Sequence, residues 1–168
     1  VWSRELNKTN EFIKNLSNDF NLNYQAVEST DEVVKNADIL ITTTPSKKPL
    51  IQYSSLPKGI HITAMGSDAE EKNELDPNII KNCNAYVPDN QAQTSILGEL
   101  NHAIRMGLIN KENNFNDLGK IILNPKLGRI NQEDITVADL TGTGVQDTAI
   151  ARYAFLIAEE KKLGNIIN

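Results

Sequence analysis

The sequence holds a single cysteine, Cys83, and two histidines, His61 and His102. One cysteine cannot close an internal disulfide, which fits a reducing, cytoplasmic setting. The two histidines lie far apart and neither pairs with Cys83 at metal-ligand spacing, so no metal site is expected. No apolar run approaches the roughly 20 residues that a membrane-spanning helix needs. No charged-then-apolar leader stands at Val1, so neither a membrane nor export is expected. Basic excess is also missing: 17 Lys and Arg against 22 Asp and Glu leave a net charge of −5 over 168 residues. That balance argues against a nucleic-acid partner or an anionic membrane surface. There is no Gly-x-Ser-x-Gly turn and no pairing of nucleophile with base, which removes the usual hydrolase arrangement. What is present, 39% hydrophobic and 23% charged residues, is a globular composition without repeats or low-complexity linkers.

The order of the apolar segments carries more information. Val1-Trp2-Ser3-Arg4 reads as the end of a strand, and Glu5–Phe20 spaces Leu6, Phe12, Ile13, Leu16 and Phe20 along a helical face. Tyr24–Val27 reads as a short strand, followed by a helix entered through Ser29-Thr30-Asp31-Glu32. The continuous apolar run Ala37–Thr42 predicts a strand buried on both faces of a parallel sheet. Pro45, Pro49 and Pro57 predict a loop after Thr44. Further strands are expected at Gly59–Ala64, Ala85–Val87 and Ile135–Leu140, and helices at Pro77–Lys81, Gln93–Met106, Asp117–Leu123 and Val145–Lys162. Alternating strands and helices predict an α/β fold with a doubly wound, mostly parallel nucleotide-binding sheet. Such a sheet normally opens with a strand and a glycine-rich phosphate turn. Neither is in this sequence, which therefore reads as a fragment beginning inside a second strand.

Several residues at strand ends are candidates for chemistry. Arg4, with Ser3 beside it, stands where these sheets meet the adenosine ribose. An acid there accepts from a 2′-hydroxyl, whereas arginine suits a 2′-phosphate, so the cofactor is NAD or NADP with NADP(H) favoured. The plainer reading of Arg4 is a solvated side chain at a helix entry. Thr43, Thr44, Pro45 and Ser46 follow a strand at its carboxyl end, where hydroxyls and backbone amides line a ligand, although threonines there also suit β structure. Met65, Gly66 and Ser67 end the next strand on the same edge, and Asp68 after them is a candidate base or, equally, a turn cap. Thr141-Gly142-Thr143-Gly144 imitates a phosphate loop, but Asp147 stands where the third glycine belongs, and a tight strand-to-helix turn is the competing reading. Lys47 and Lys48 read as a solvated pair.

Taken in series, these strings carry a resemblance. Val1-Trp2-Ser3-Arg4, Ala37–Ser46, Ala64-Met65-Gly66-Ser67-Asp68, Glu74-Leu75-Asp76, Gly98-Glu99-Leu100, Asp117-Leu118-Gly119, Ile135-Thr136-Val137, Thr141-Gly142 and Gln146-Asp147 resemble the ornithine cyclodeaminase/mu-crystallin family. Each string alone is weak; their order through nearly the whole chain is specific. The resemblance implies a two-lobed NAD(P)-dependent protein. Residues 1–143 would form part of its Rossmann-type NAD(P)-binding domain. Residues 144–168 would be a helix returning to a substrate and dimerisation lobe that lies outside this sequence, with Tyr153 and Ile157 facing that lobe. It also implies a homodimer and a small amino- or imino-acid substrate. Asp68 falls on the family's catalytic aspartate. In one departure, Ala69-Glu70-Glu71 precedes Lys72 where the family commonly has a Pro-Gly turn.

The implied chemistry is that of a cyclodeaminase: hydride leaves the substrate Cα, an imine forms, a side-chain amine attacks it, ammonia leaves and the hydride returns. Asp68 would anchor and deprotonate the attacking amine. Two alternatives stay open. One is an imine (ketimine or pyrroline-carboxylate) reductase or amino-acid dehydrogenase with net hydride transfer; the other is a non-catalytic, mu-crystallin-like binder of NADPH or another small ligand.

Overall fold

The computed structural model describes residues 1–165. Its centre is a parallel sheet of four strands, β1 (Ile39–Thr42), β3 (His61–Ala64), β5 (Ala85–Pro88) and β6 (Thr136–Asp139), in the spatial order β1-β3-β6-β5. The pairing is in step: Thr42 lies opposite Ala64, and Ala64 opposite Asp139. All the carboxyl ends therefore fall on one edge. A smaller parallel pair, β2 (Lys47–Ile51) and β4 (Asn73–Leu75), packs beside it.

Alternate strand residues set the core. Leu40, Ile62, Ala64, Tyr86 and Val137 point to one face and are buried there with Val34, Ile51, Leu75, Ile79, Ile80, Leu100 and Ala103. That face is covered by α2 (Thr30–Val34), α3 (Pro77–Asn82) and α5 (Glu99–Arg105). Local chemistry starts these helices where the sequence announces them. Ser29 accepts from the Glu32 amide, and Asp76 accepts from Asn78 ahead of Pro77 in the first turn. Asp117 caps α6 (Leu118–Leu123) in the same manner. Tyr86 meets Phe115 edge-on, ring centres 4.9 Å apart.

Four expectations are corrected. Strand β1 is buried on one face only: Leu40 and Thr42 are covered, whereas Ile39 and Ile41 are 65% and 61% exposed. It is an edge strand of the sheet, and nothing among the described residues covers its second face. The segment after Thr44 is not mainly loop, because Lys47–Ile51 pairs with β4 at Lys47–Asn73 and Ile51–Leu75. Pro49 lies in the interrupted part of that ladder, where its missing N–H leaves no bond unmade. Gln93–Met106 is two helices, α4 (Gln91–Thr94) and α5, broken at Gly98. Finally, Val1 and Tyr24–Val27 form no regular strand. They exchange one pair of parallel-type hydrogen bonds, from the Val1 amine to Gln25 O (2.7 Å) and from Val27 N to Val1 O (3.1 Å).

The terminal helices stand apart from this core. In α1 (Leu6–Asp19) only Thr9 is buried, and in α7 (Gly144–Glu160) no residue is. Ile150, Tyr153, Phe155 and Leu156 of α7 are all exposed. Among the described residues no helix is long and apolar enough to cross a membrane.

Candidate cofactor site

Parallel pairing brings three loops onto one edge. Residues Thr43–Ser46 continue β1, Met65–Asp68 continue β3, and Thr141–Gly142 continue β6, so neighbouring loops start about 4.8 Å apart. Opposite the first loop, Trp2, Ser3 and Arg4 close a cavity of about 760 Å³ whose other wall is Thr43, Thr44, Pro45, Ser46, Lys47, Lys48 and Leu50. Ser3, Arg4 and the Thr43–Ser46 run are thus brought together. Met65, Gly66, Ser67, Asp68, Thr141 and Gly142 share the edge but do not line this cavity.

The free groups in the cavity differ from a list of hydroxyls and amides. The Thr44 amide donates to Glu74, and the Ser46 amide to Thr44 Oγ1 (3.3 Å). The Ser46 hydroxyl is used by the Lys48 carbonyl (2.7 Å). Ser3 Oγ lies 2.8 Å from Thr9 Oγ1 and 3.0 Å from Glu5 O, at the start of α1. Trp2 is fixed by its indole N–H donating to Glu28 O at 3.2 Å. The charged groups on the walls are Arg4, Lys47 and Lys48, and only Lys47 has an ion-pair partner among the described residues, Glu71 at 3.5 Å. Lys47 and Lys48 are exposed, as expected of a solvated pair, but they stand on strand β2 rather than in a loop and line this cavity. Their role depends on the β2 pairing, which three prolines concealed.

On the second loop Gly66 is required by space. A Cβ there would lie 2.2 Å from Thr44 O and 2.5–2.6 Å from the Glu74 carboxyl group. Ser67 is buried and donates to Lys72 O (2.5 Å). Asp68 is exposed and pairs with Lys72, whose ammonium hydrogen bond holds the Asp68 carboxyl below its ordinary value. Asp68 is thus kept as a carboxylate on the open edge. On the third loop, Thr141 Oγ1 and Gly142 N both donate to Asp89 (3.2 and 2.9 Å). Gly142, at φ +82°, then turns the chain into α7, whose first turn is tied by Thr143 N donating to Gln146 Oε1 (3.2 Å).

Three buried carboxyl groups beneath the edge escaped sequence reasoning. Glu74 accepts from Thr44 N (2.5 Å) and Gly66 N (2.9 Å). Glu99 accepts from Glu74 N (2.8 Å), Leu75 N (3.2 Å) and Asn73 Nδ2 (2.6 Å). Asp139 accepts from Tyr86 OH (2.6 Å) and Leu100 N (3.2 Å), while its Oδ1 has no partner among the described residues. Burial raises Glu99 to about 8, helped by the Asp139 charge and opposed by its three N–H donors. Burial likewise raises Asp139 to about 7. An acidic residue inside an otherwise apolar strand, as in Ala138-Asp139-Leu140, was the available signal for Asp139.

A parallel sheet with ligand-sized space at the carboxyl end of its strands defines a Rossmann-type α/β chain. The chain belongs to the ornithine cyclodeaminase/mu-crystallin family, whose sequence model matches residues 1–162. It is 46% identical over 166 residues to an uncharacterized cyclodeaminase, y4tK, of Sinorhizobium fredii, covering 99% of this chain and 50% of that protein. Among solved structures it matches an archaeal alanine dehydrogenase dimer with bound NAD at a TM-score of 0.90 and 31% identity, covering 99% of this chain and 51% of the other. It matches the iminosuccinate reductase of Paracoccus denitrificans in complex with NAD+ at 0.88 and 29%, covering 99% and 50%. The chain therefore spans about half the length of the relatives it matches.

Proposed function

We propose that this protein is a nicotinamide-dinucleotide enzyme of cyclodeaminase type, acting at the Cα of a small amino acid with an imine intermediate and release of ammonia. The observation that carries it is the edge itself: a cavity holding Ser3, Arg4 and Thr43–Ser46, with a carboxylate, Asp68, two residues beyond Gly66 on the adjoining loop. A volume of about 760 Å³ suits the adenosine end of a dinucleotide. Trp2 and Pro45 supply flat apolar walls, and Arg4 and Lys48 supply cations without ion-pair partners among the described residues. Those two cations favour a 2′-phosphate, hence NADP(H), over a bare ribose. Met65, Gly66, Ser67, Thr141 and Gly142 would border the remainder of the cofactor along the edge.

A bound nicotinamide supplies a hydride acceptor that can also return the hydride. The chain's part is to orient the substrate Cα toward the edge and to move a proton. Asp68 anchors the substrate ammonium, takes one proton from it and leaves the amine free to attack. Lys72 keeps Asp68 ionised before substrate arrives. Residues 1–143 serve in this reading as the dinucleotide-binding part and 144–168 as the helix returning to the rest of a homodimeric protein. Residues 166–168 of that span lie outside the described residues. The exposed Ile150, Tyr153 and Leu156 of α7 support the return.

A second reading, net reduction of an imino acid or dehydrogenation of an amino acid, is favoured by the two solved relatives, a dehydrogenase and a reductase. Parallel NADH and NADPH titrations of the whole protein test the cofactor: tighter NADPH binding is expected, lost in part in Arg4→Ala and Lys48→Ala. Binding of neither nucleotide removes the proposal. Ammonia release with only catalytic cofactor supports the cyclodeaminase reading, whereas stoichiometric NAD(P)H consumption supports the second.

A further inference from the structure

The Glu74 side chain is fully buried and has no cationic partner among the described residues. Its two oxygens are divided between two loops: Oε1 takes the Thr44 amide at 2.5 Å, and Oε2 takes the Gly66 amide at 2.9 Å. The loops are packed so tightly around it that Gly66 has no room for a Cβ against Thr44 O or the carboxyl group. Glu74 is itself held from behind, because Glu99 accepts from the backbone N–H groups of both Glu74 and Leu75. The parallel ladder ends at Thr42 and Ala64, and beyond it the only β1-side to β3-side backbone bond among the described residues is Met65 N to Thr42 O (2.9 Å). A carboxylate bridging two amides in place of a ladder fixes the spacing of loops that the sheet alone leaves free.

We propose that Glu74 is a positioning residue that locks Thr43–Ser46 to Met65–Asp68, so that the cavity wall and the Asp68 carboxylate keep one relative placement. Its bearing on catalysis rests on the cofactor reading above; the lock does not. Both oxygens must accept, so glutamine is a poor substitute of equal size: its NH2 would face an N–H. One amide is then unpaired, and a buried hydrogen bond to a charged group is lost.

The test compares Glu74→Gln with Ile79→Val, a core change on α3 that lowers stability without touching either loop, in the whole protein. Amide exchange of the segments 43–46 and 65–68 and dinucleotide affinity are read beside the melting temperature. Glu74→Gln should speed exchange in both segments and weaken NADPH or NADH binding, each by about tenfold or more, with strand segments 60–64 and 136–140 unchanged. Ile79→Val should move neither readout at a comparable melting temperature. Unchanged loop exchange in Glu74→Gln, or the same changes in Ile79→Val, would overturn the proposal. If the parent protein binds neither nucleotide, the cofactor reading fails while exchange alone decides the lock, for it when the loops quicken and against it when they do not.

Discussion

Gly66, Glu74 and Asp68 show how few atoms set the edge. Gly66 has only hydrogen where a side chain would strike Thr44 O at 2.2 Å, so Gly66→Ala must push two loops apart. Overpacking of this kind costs about 1–3 kcal/mol, and urea unfolding of the purified chain should register that loss. Asp68 differs in kind, being exposed and paired with Lys72. In the whole protein Asp68→Asn should therefore leave dinucleotide affinity and melting temperature near their parent values while turnover falls by about 10²–10⁴-fold. Unchanged steady-state turnover would take Asp68 out of the mechanism. Asp68 stood out in the sequence as an acid two residues past a strand-end glycine, with a turn cap as the equal reading, and the family resemblance is what singled it out. Glu74 did not stand out, since nothing local separates a buried carboxylate fed by two distant amides from a solvated one.

At the scale of elements, alternation governs β1. Leu40 is in the core and its neighbour Ile41 is not, though the sequence presents both as members of one apolar run. Leu40→Ala should cost about 2–5 kcal/mol. Ile41→Ala should cost under about 0.5 kcal/mol in the same chain, as measured by the shift in urea midpoint. Equal losses would mean that the second face of β1 is covered after all. The helix entry at Ser29 was legible and starts at Pro77 and Asp117 were expected, because entry is settled within three residues of chain; the caps at Asp76 and Asp117 came from the structure. The Gln93–Met106 stretch was misread as one helix because its break has a tertiary cause. Gly98 lies against the buried Asp139, where a Cβ would sit 2.6 Å from Oδ2, and α5 restarts there with its Leu100 amide on that carboxyl group.

For the whole molecule, the buried acids dictate how stability follows pH. Glu99 and Asp139 titrate in the fold near 8 and 7, against ordinary values of 4.5 and 3.8. Between those limits the folded chain holds protons that the unfolded chain has released, so their stabilising effect is present at low pH and lost as pH rises. His61 works in the opposite sense, since burial first and the Arg129 charge second lower it below 6.5, and its effect falls at acid pH. The His61 contribution fades as pH rises past its free value of 6.5, where the two acids remain, joined at the alkaline end and in the same sense by the Cys83 thiol, which burial pushes up to about 12. The urea midpoint should therefore fall between pH 6.5 and 8.5, and Glu99→Gln, neutral at every pH, should flatten that fall. A midpoint rising over this window would contradict the assignment.

Order along the chain was the sequence's own province. Strand and helix alternation, the caps and the parallel sheet follow from periodicity and from contacts within a few residues, and the family follows from motifs in series. The pairing of β2 with β4, the open face of β1, the cavity between Trp2–Arg4 and Thr43–Lys48, and the carboxylates under the edge were decided by the tertiary structure. Except for the open face of β1, which is defined by what fails to pack on it, these features depend on groups distant in sequence meeting at hydrogen-bond or van der Waals distance. Only the folded packing determines which distant amide finds which carboxylate.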